Sequence, residues 1–142
     1  FLRAITLADT TSDLVTIDTT SGGSPAGANI TLSSTSNGTA AGAQSLTLNA
    51  GTGGDILFTG GVGAVTRLGT LSVTNARNVT ATLAVQANAV QQVAGTGLTT
   101  FSSTLTAIGG GIDLNGTAFT FSNAVNSAAG GLVSVVVMFT AG

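Results

Sequence analysis

The segment Phe101-Ser-Ser-Thr-Leu105 returns twenty residues later as Phe121-Ser-Asn-Ala-Val125. Each copy runs into a Gly-Gly-apolar step, Gly110-Gly111-Ile112 and Gly130-Gly131-Leu132. Self-similarity at a period of about 20–50 residues marks stacked structural units, none of which buries its apolar face alone. A looser copy, Phe58-Thr-Gly-Gly-Val62 followed by Leu71-Ser72-Val73, fits the same frame with about two extra residues before its second strand.

Upstream the period dissolves into one local unit, apolar-Thr-apolar. It occurs as Ile5-Thr6-Leu7, Val15-Thr16-Ile17, Ile30-Thr31-Leu32 and Leu46-Thr47-Leu48. Later variants are Leu71-Ser72-Val73, Leu83-Ala84-Val85, Ile112-Asp113-Leu114 and Phe119-Thr120-Phe121. Such alternation places two apolar side chains on one face and a short polar one on the other, the pattern of a half-buried strand. Between the units lie turn-forming clusters, Ser21-Gly22-Gly23-Ser24-Pro25 and Asn49-Ala50-Gly51-Thr52-Gly53-Gly54, rich in residues that tolerate positive φ. No stretch carries a helical period with caps. The pattern predicts an all-β chain, a single parallel β-solenoid over 1–142, with an irregular part at 1–44 and regular repeats at 45–142. At about twenty residues per turn it predicts roughly seven coils, stacked at about 4.8 Å into a rod of about 30–35 Å.

Composition removes most chemistry. Glu, Lys, His, Cys, Trp and Tyr are absent, so neither a Ser-His-Asp nor a Cys-His nucleophile system can be assembled, nor a conventional zinc site. Acid–base work would fall to Asp9, Asp13, Asp18, Asp55 and Asp113, which are scattered along the chain. The expectation is a protein that is not an enzyme, with no catalytic, cofactor or metal residues and no cofactor. Only Arg3, Arg67 and Arg77 are basic and the net charge is −2. A nucleic-acid footprint or a polybasic membrane patch needs far more positive charge. No apolar run approaches the ~18 residues of a membrane-spanning helix. Low charge and abundant Ser and Thr suit an extracellular surface. The start, Phe1-Leu2-Arg3, lacks Met and a signal-peptide apolar region and reads as a processed or excised chain.

Four motifs have a plainer reading beside a functional one. Gly51-Thr-Gly-Gly54-Asp55-Ile56-Leu57-Phe58 touches the calcium-binding nonapeptide pattern, but calcium needs consecutive copies with converging oxygens. One imperfect copy reads as a glycine turn entering a strand. The sequons Asn29-Ile-Thr31, Asn37-Gly-Thr39, Asn78-Val-Thr80 and Asn115-Gly-Thr117 are close to what chance supplies in so Thr-rich a chain. The outward Thr6, Thr16, Thr31, Thr47 and Thr120 would make a ladder like that of ice-binding solenoids if all units stacked. That series breaks at Leu57, Ala84 and Asp113, and β-branched Thr is favoured on exposed strands anyway. Phe58, Phe101, Phe119 and Phe121 read as an internal stack rather than a binding platform.

The run from about Ser45 to Ser134 resembles the repeats of giant bacterial cell-surface proteins, the β-strand-repeat, filamentous-haemagglutinin-like adhesins. The likeness rests on Leu46-Thr-Leu-Asn-Ala-Gly-Thr-Gly-Gly-Asp-Ile56, on Leu68-Gly-Thr-Leu-Ser-Val-Thr74 and on the Phe101 and Phe121 repeats. It implies a right-handed parallel β-helix, secretion, and a structural or adhesive role that works through shape, with no functional residues to carry over. The leading expectation is a non-catalytic segment of an extracellular fibre or cell-surface adhesin. The alternative is a β-sandwich pilin-like filament subunit joined by strand exchange, with Leu132 to Phe139 as its buried strand. A carbohydrate-binding or lyase module and an ice-binding solenoid rank below both. The expected partners are copies of the same chain stacked end to end, or adjoining repeats of a longer chain. Neither Phe1 to Ile5 nor Val133 to Phe139 carries a cap against such stacking.

Overall fold

The computed structural model describes residues 3–8, 13–21, 26–128 and 130–139. Among them every regular element is a strand. The first coil carries β1 (Ile5–Leu7), β2 (Leu14–Asp18) and β3 (Ile30–Leu32). The second carries β4 (Ser36–Gly38), β5 (Ser45–Asn49) and β6 (Ile56–Phe58). Next come β7 (Leu68–Asn75) with β8 (Val79–Ala81), then β9 (Val85–Gln92) with β10 (Leu98–Phe101). The chain closes with β11 (Leu105–Gly116), β12 (Ala118–Phe121), β13 (Val125–Ala128) and β14 (Val133–Val137).

Every strand pair is parallel, and each joins one coil to the next. The fold is therefore a β-solenoid with three faces. The first face stacks β1, β4, the single bridging residue Val62, the beginnings of β9 and β11, and β13. The second stacks β2, β5, β7, the later parts of β9 and β11, and β14. The third stacks β3, β6, β8, β10 and β12. A strand-exchanged sandwich would need antiparallel sheets facing each other, and the parallel register replaces that alternative.

The core is a set of inward columns running along the stack. On the third face Ile30, Ile56, Val79, Thr99 and Phe119 lie in one register, and Leu32, Phe58, Ala81, Phe101 and Phe121 in the next. Phe101 and Phe121 stack with ring centroids 5.7 Å apart and planes 2° apart. On the second face Val15, Leu46, Leu71, Val90, Ile112 and Val133 form a column beside Ile17, Leu48, Val73, Gln92, Leu114 and Val135. Gln92 and Thr99 bring polar atoms into this interior and satisfy each other. The Thr99 hydroxyl donates to Gln92 Oε1 at 2.9 Å, and Gln92 Nε2 donates to the Asn115 carbonyl at 3.1 Å.

Three expectations change. The stack has fewer than seven coils: among the described residues the third face has five rungs, Ile30, Ile56, Val79, Thr99 and Phe119, and the other two faces have six. The reason is turn length. Registered partners on the first face lie 31 residues apart from Ile5 to Ser36 and 26 from Ser36 to Val62. The spacing falls to 23 from Val62 to Val85 and reaches 20 only from Val85 to Leu105 and Leu105 to Val125. The described residues within 1–44 thus supply three faces of the same stack, with longer connections. Leu83-Ala84-Val85 is not one strand unit: Leu83 and Ala84 form a corner, with Leu83 53% exposed, and only Val85, buried, opens β9. Finally, the twenty-residue echo slips by one at its end, because Ile112 is registered with Val133 and not with Leu132. A one-residue slip reverses the facing of every side chain, and Leu132 is accordingly 82% exposed. Phe1, Leu2, Asp9 and the Gly/Pro turn at 22–25 lie outside the described residues.

Glycine is demanded at the first corner of the third turn. Gly63 has φ +64°, and a Cβ there would sit 2.0 Å from the Gln86 carbonyl oxygen of the following coil.

Candidate functional site

The four described aspartates do not converge. Asp13 precedes β2, Asp18 ends it, Asp55 enters β6 on the third face, and Asp113 faces outward on β11. Each has local polar company: Gln44 donates to Asp13 at 3.4 Å, Thr20 and Asn49 donate to Asp18, and Asn115 donates to Asp113 at 3.4 Å. Asp55 takes a bidentate pair from Arg77, with Nε at 2.9 Å and Nη2 at 2.6 Å, and the Asn78 side-chain amide at 2.9 Å. The hydrogen bond from Arg77 outweighs desolvation and holds the Asp55 carboxyl down at about 2. The Thr20 hydroxyl lowers Asp18 in the same sense. A general acid needs the opposite shift. Among the described residues no three His, Cys, Asp or Glu gather to hold a metal. At the nonapeptide-like segment, the Asp55 oxygens already serve a cation and an amide.

The asparagines of the four sequons have a role that spacing alone did not reveal. They fasten one coil to the next. Asn29 Oδ1 accepts the Asp55 N–H at 2.8 Å, Asp55 Oδ1 accepts the Asn78 N–H at 3.2 Å, and Asn78 Oδ1 accepts the Leu98 N–H at 2.9 Å. At another corner Asn37 Oδ1 takes the N–H groups of Val65 and Thr66, and Asn115 Nδ2 donates to the Gln92 carbonyl at 3.4 Å. Corner backbone groups that cannot enter a ladder still need partners, and a side chain one coil away supplies them. The sequence signal was present: Asn29, Asp55 and Asn78 each stand immediately before an apolar-x-apolar unit.

The five threonines singled out in the sequence do not share a face. Thr6 lies on the first, Thr16 and Thr47 on the second, and Thr31 and Thr120 on the third. A different array exists on the third face. Thr31, Leu57, Thr80, Thr100 and Thr120 form one outward column in register. Two residues on, Ser33, Thr59, Thr82, Ser102 and Ser122 form a second. There the N–H groups of Thr59, Thr82, Ser102 and Ser122 donate to the carbonyls of Leu32, Phe58, Ala81 and Phe101 at 2.9–3.1 Å. Neither column contains a charge.

The last surface is the C-terminal end of the stack. Val133, Val135 and Val137 occupy inward columns over Ile112, Leu114 and Gly116, yet no described coil covers them and all three are exposed. Leu132, Val136, Met138 and Phe139 add to the apolar area, with Phe139 91% exposed.

No family model matches the chain, nor does any curated protein or solved structure. The surfaces themselves carry the functional argument.

Proposed function

We propose that this chain is a non-catalytic structural module: a length of solenoid that extends an extracellular fibre or cell-surface adhesin by stacking against further coils. Those coils belong either to other copies or to adjoining repeats of a longer parent. The carrying observation is the C-terminal end, where among the described residues Leu132 to Phe139 leave a row of large apolar side chains exposed and β13 and β14 pair on one side only. Burying each such side chain is worth about 1.5–3 kcal/mol, a large share of a marginal stability of about 5–15 kcal/mol. Free parallel edges of this kind recruit more strand unless something blocks them. The resemblance to β-strand-repeat adhesins agrees with this reading, as does the neutral, hydroxyl-rich exterior. Sedimentation velocity of the 142-residue chain at micromolar concentration tests it. Concentration-dependent association is expected, and a stable dispersed monomer refutes the reading.

One observation favours a second use of the same module, ice binding. The paired columns Thr31 to Thr120 and Ser33 to Ser122 repeat hydroxyls at about 4.8 Å along the stack and about 6.6–6.8 Å along each strand, with Leu57 the single interruption. Thr side chains in strands have restricted χ1, so Thr80, Thr100 and Thr120 would hold water at a regular spacing, while in the second column the Thr82 hydroxyl is donated to the carbonyls of Phe58 and Thr59. Partition of the protein into slowly growing ice is the test. Retention that Thr100→Lys lowers at least tenfold is expected, and exclusion of the unaltered chain from ice removes this reading.

A further inference from the structure

The two ends of the stack can be compared column by column. Among the described residues, the outermost strands at the C-terminal end are β13 on the first face and β14 on the second. At the N-terminal end the outermost described strands are β1 and β2 on the same two faces. Their inward positions agree. Val125 ends the column that Ile5 begins, Val133 ends that of Val15, and Val135 ends that of Ile17. Ile5, Val15 and Ile17 are only partly buried where they stand.

Their outward positions agree as well. Thr6 and Asn126 belong to the first face, and Thr16 and Ser134 to one second-face column, through Thr47, Ser72, Gln91 and Asp113. Charged side chains do not oppose each other in either pairing. The most pointed match lies one step along β2. Leu14, 45% exposed, begins the column that passes through Ser45, Thr70, Ala89 and Gly111. Leu132 comes next in that column, because its carbonyl accepts the Ile112 N–H at 2.8 Å and Val133 pairs with Ile112. The slip that throws Leu132 into solvent therefore aligns it with the exposed leucine at the opposite end.

We propose that the C-terminal end of this solenoid docks on the N-terminal end of a second copy, β14 pairing parallel with β2 and β13 with β1. Val133 then lies on Val15, Val135 on Ile17, Val125 on Ile5 and Leu132 beside Leu14. On the first and second faces the contact repeats the interface that already joins each coil to the next within the chain, while the third face, whose last described strand is β12, contributes no pairing. It uses unlike surfaces and does not close, so it generates a linear filament. This inference rests on the stacking reading above and narrows it to one partner and one register.

The chain contains no cysteine, so paired substitutions report the register directly. Registered residues on neighbouring strands lie about 4.8 Å apart, within the about 4.4–6.8 Å Cα separation a disulfide accepts. Thr16 and Ser134 of one chain are five rungs apart, roughly 24 Å, and cannot bridge internally. Thr16→Cys with Ser134→Cys, and independently Thr6→Cys with Asn126→Cys, are expected to give a ladder of covalent oligomers under mild oxidation. Thr31→Cys with Ser134→Cys, which joins different faces, is expected to give at least tenfold less. All the positions point outward, and far-UV circular dichroism of the reduced proteins checks that each retains its strands. Absence of both ladders, or equal ladders from matched and mismatched pairs, overturns the register. If sedimentation still shows association in that case, the broader stacking reading survives and only this inference falls.

Discussion

Replacing Phe58 by Ala should be among the most damaging single substitutions in the stack. The ring is 1% exposed and sits between Leu32 on one side and Ala81 on the other. Phe-to-Ala changes in cores cost about 3–5 kcal/mol, part transfer and part cavity, and the spread reflects how far the surroundings collapse. Collapse is restricted here. Ala81, the neighbour toward the C-terminus, has no side chain to swing into the hole, and both adjoining backbones are held by parallel ladders. A void of about 10 Å³ already lies against Phe58, Leu71, Val73, Val79, Val90, Phe101 and Leu114. The upper half of the range, about 4–5 kcal/mol, is therefore expected. Phe121→Ala provides the comparison. It stacks on Phe101 but is half-buried in the last described strand of its column, so about 1–2 kcal/mol is expected, near the central tendency for point substitutions. Urea unfolding followed by far-UV circular dichroism, with linear extrapolation, measures both. Working at a concentration where association is negligible keeps end-to-end contacts from masking the difference. A cost below about 1.5 kcal/mol for Phe58→Ala, or one no larger than that of Phe121→Ala, would refute the column packing argued above.

Ser36 is fully buried between Ile5 and Val62, and its hydroxyl has no hydrogen-bond partner. Ser36→Ala should raise stability by about 1 kcal/mol by removing an unpaid desolvation, and a loss of stability in the same urea assay would contradict this. Asp55, held at about 2 by Arg77, contributes stability above its unfolded value near 4 and loses it as pH falls from about 4 to about 2. Asp55→Asn should flatten part of that acid limb while costing under about 1 kcal/mol at neutral pH, because the pair is substantially exposed. Asp18, lowered in the same direction, leaves a residual slope. An unchanged acid limb in thermal melts across that window would show that the ion pair does not contribute.

The apolar-x-apolar units and the Phe echo were enough to place the chain among parallel solenoids and to identify most of its inward residues. Ile30, Leu32, Leu46, Leu48, Ile112 and Leu114 are buried as their alternation requires, because a period of two decides facing wherever a strand forms. Alternation does not say which of three faces a strand occupies. That depends on how many residues each corner consumes, and the early corners consume more than the late ones. The coil count, the separation of Thr6, Thr16 and Thr31 onto different faces, and the one-residue slip at Leu132 were therefore settled only by the stacked backbone. The same holds for the asparagine fasteners. Asn29 and Asn78 stand 49 residues apart in the chain yet flank Asp55 on successive rungs, and only the stack brings their amides to the backbone groups they satisfy.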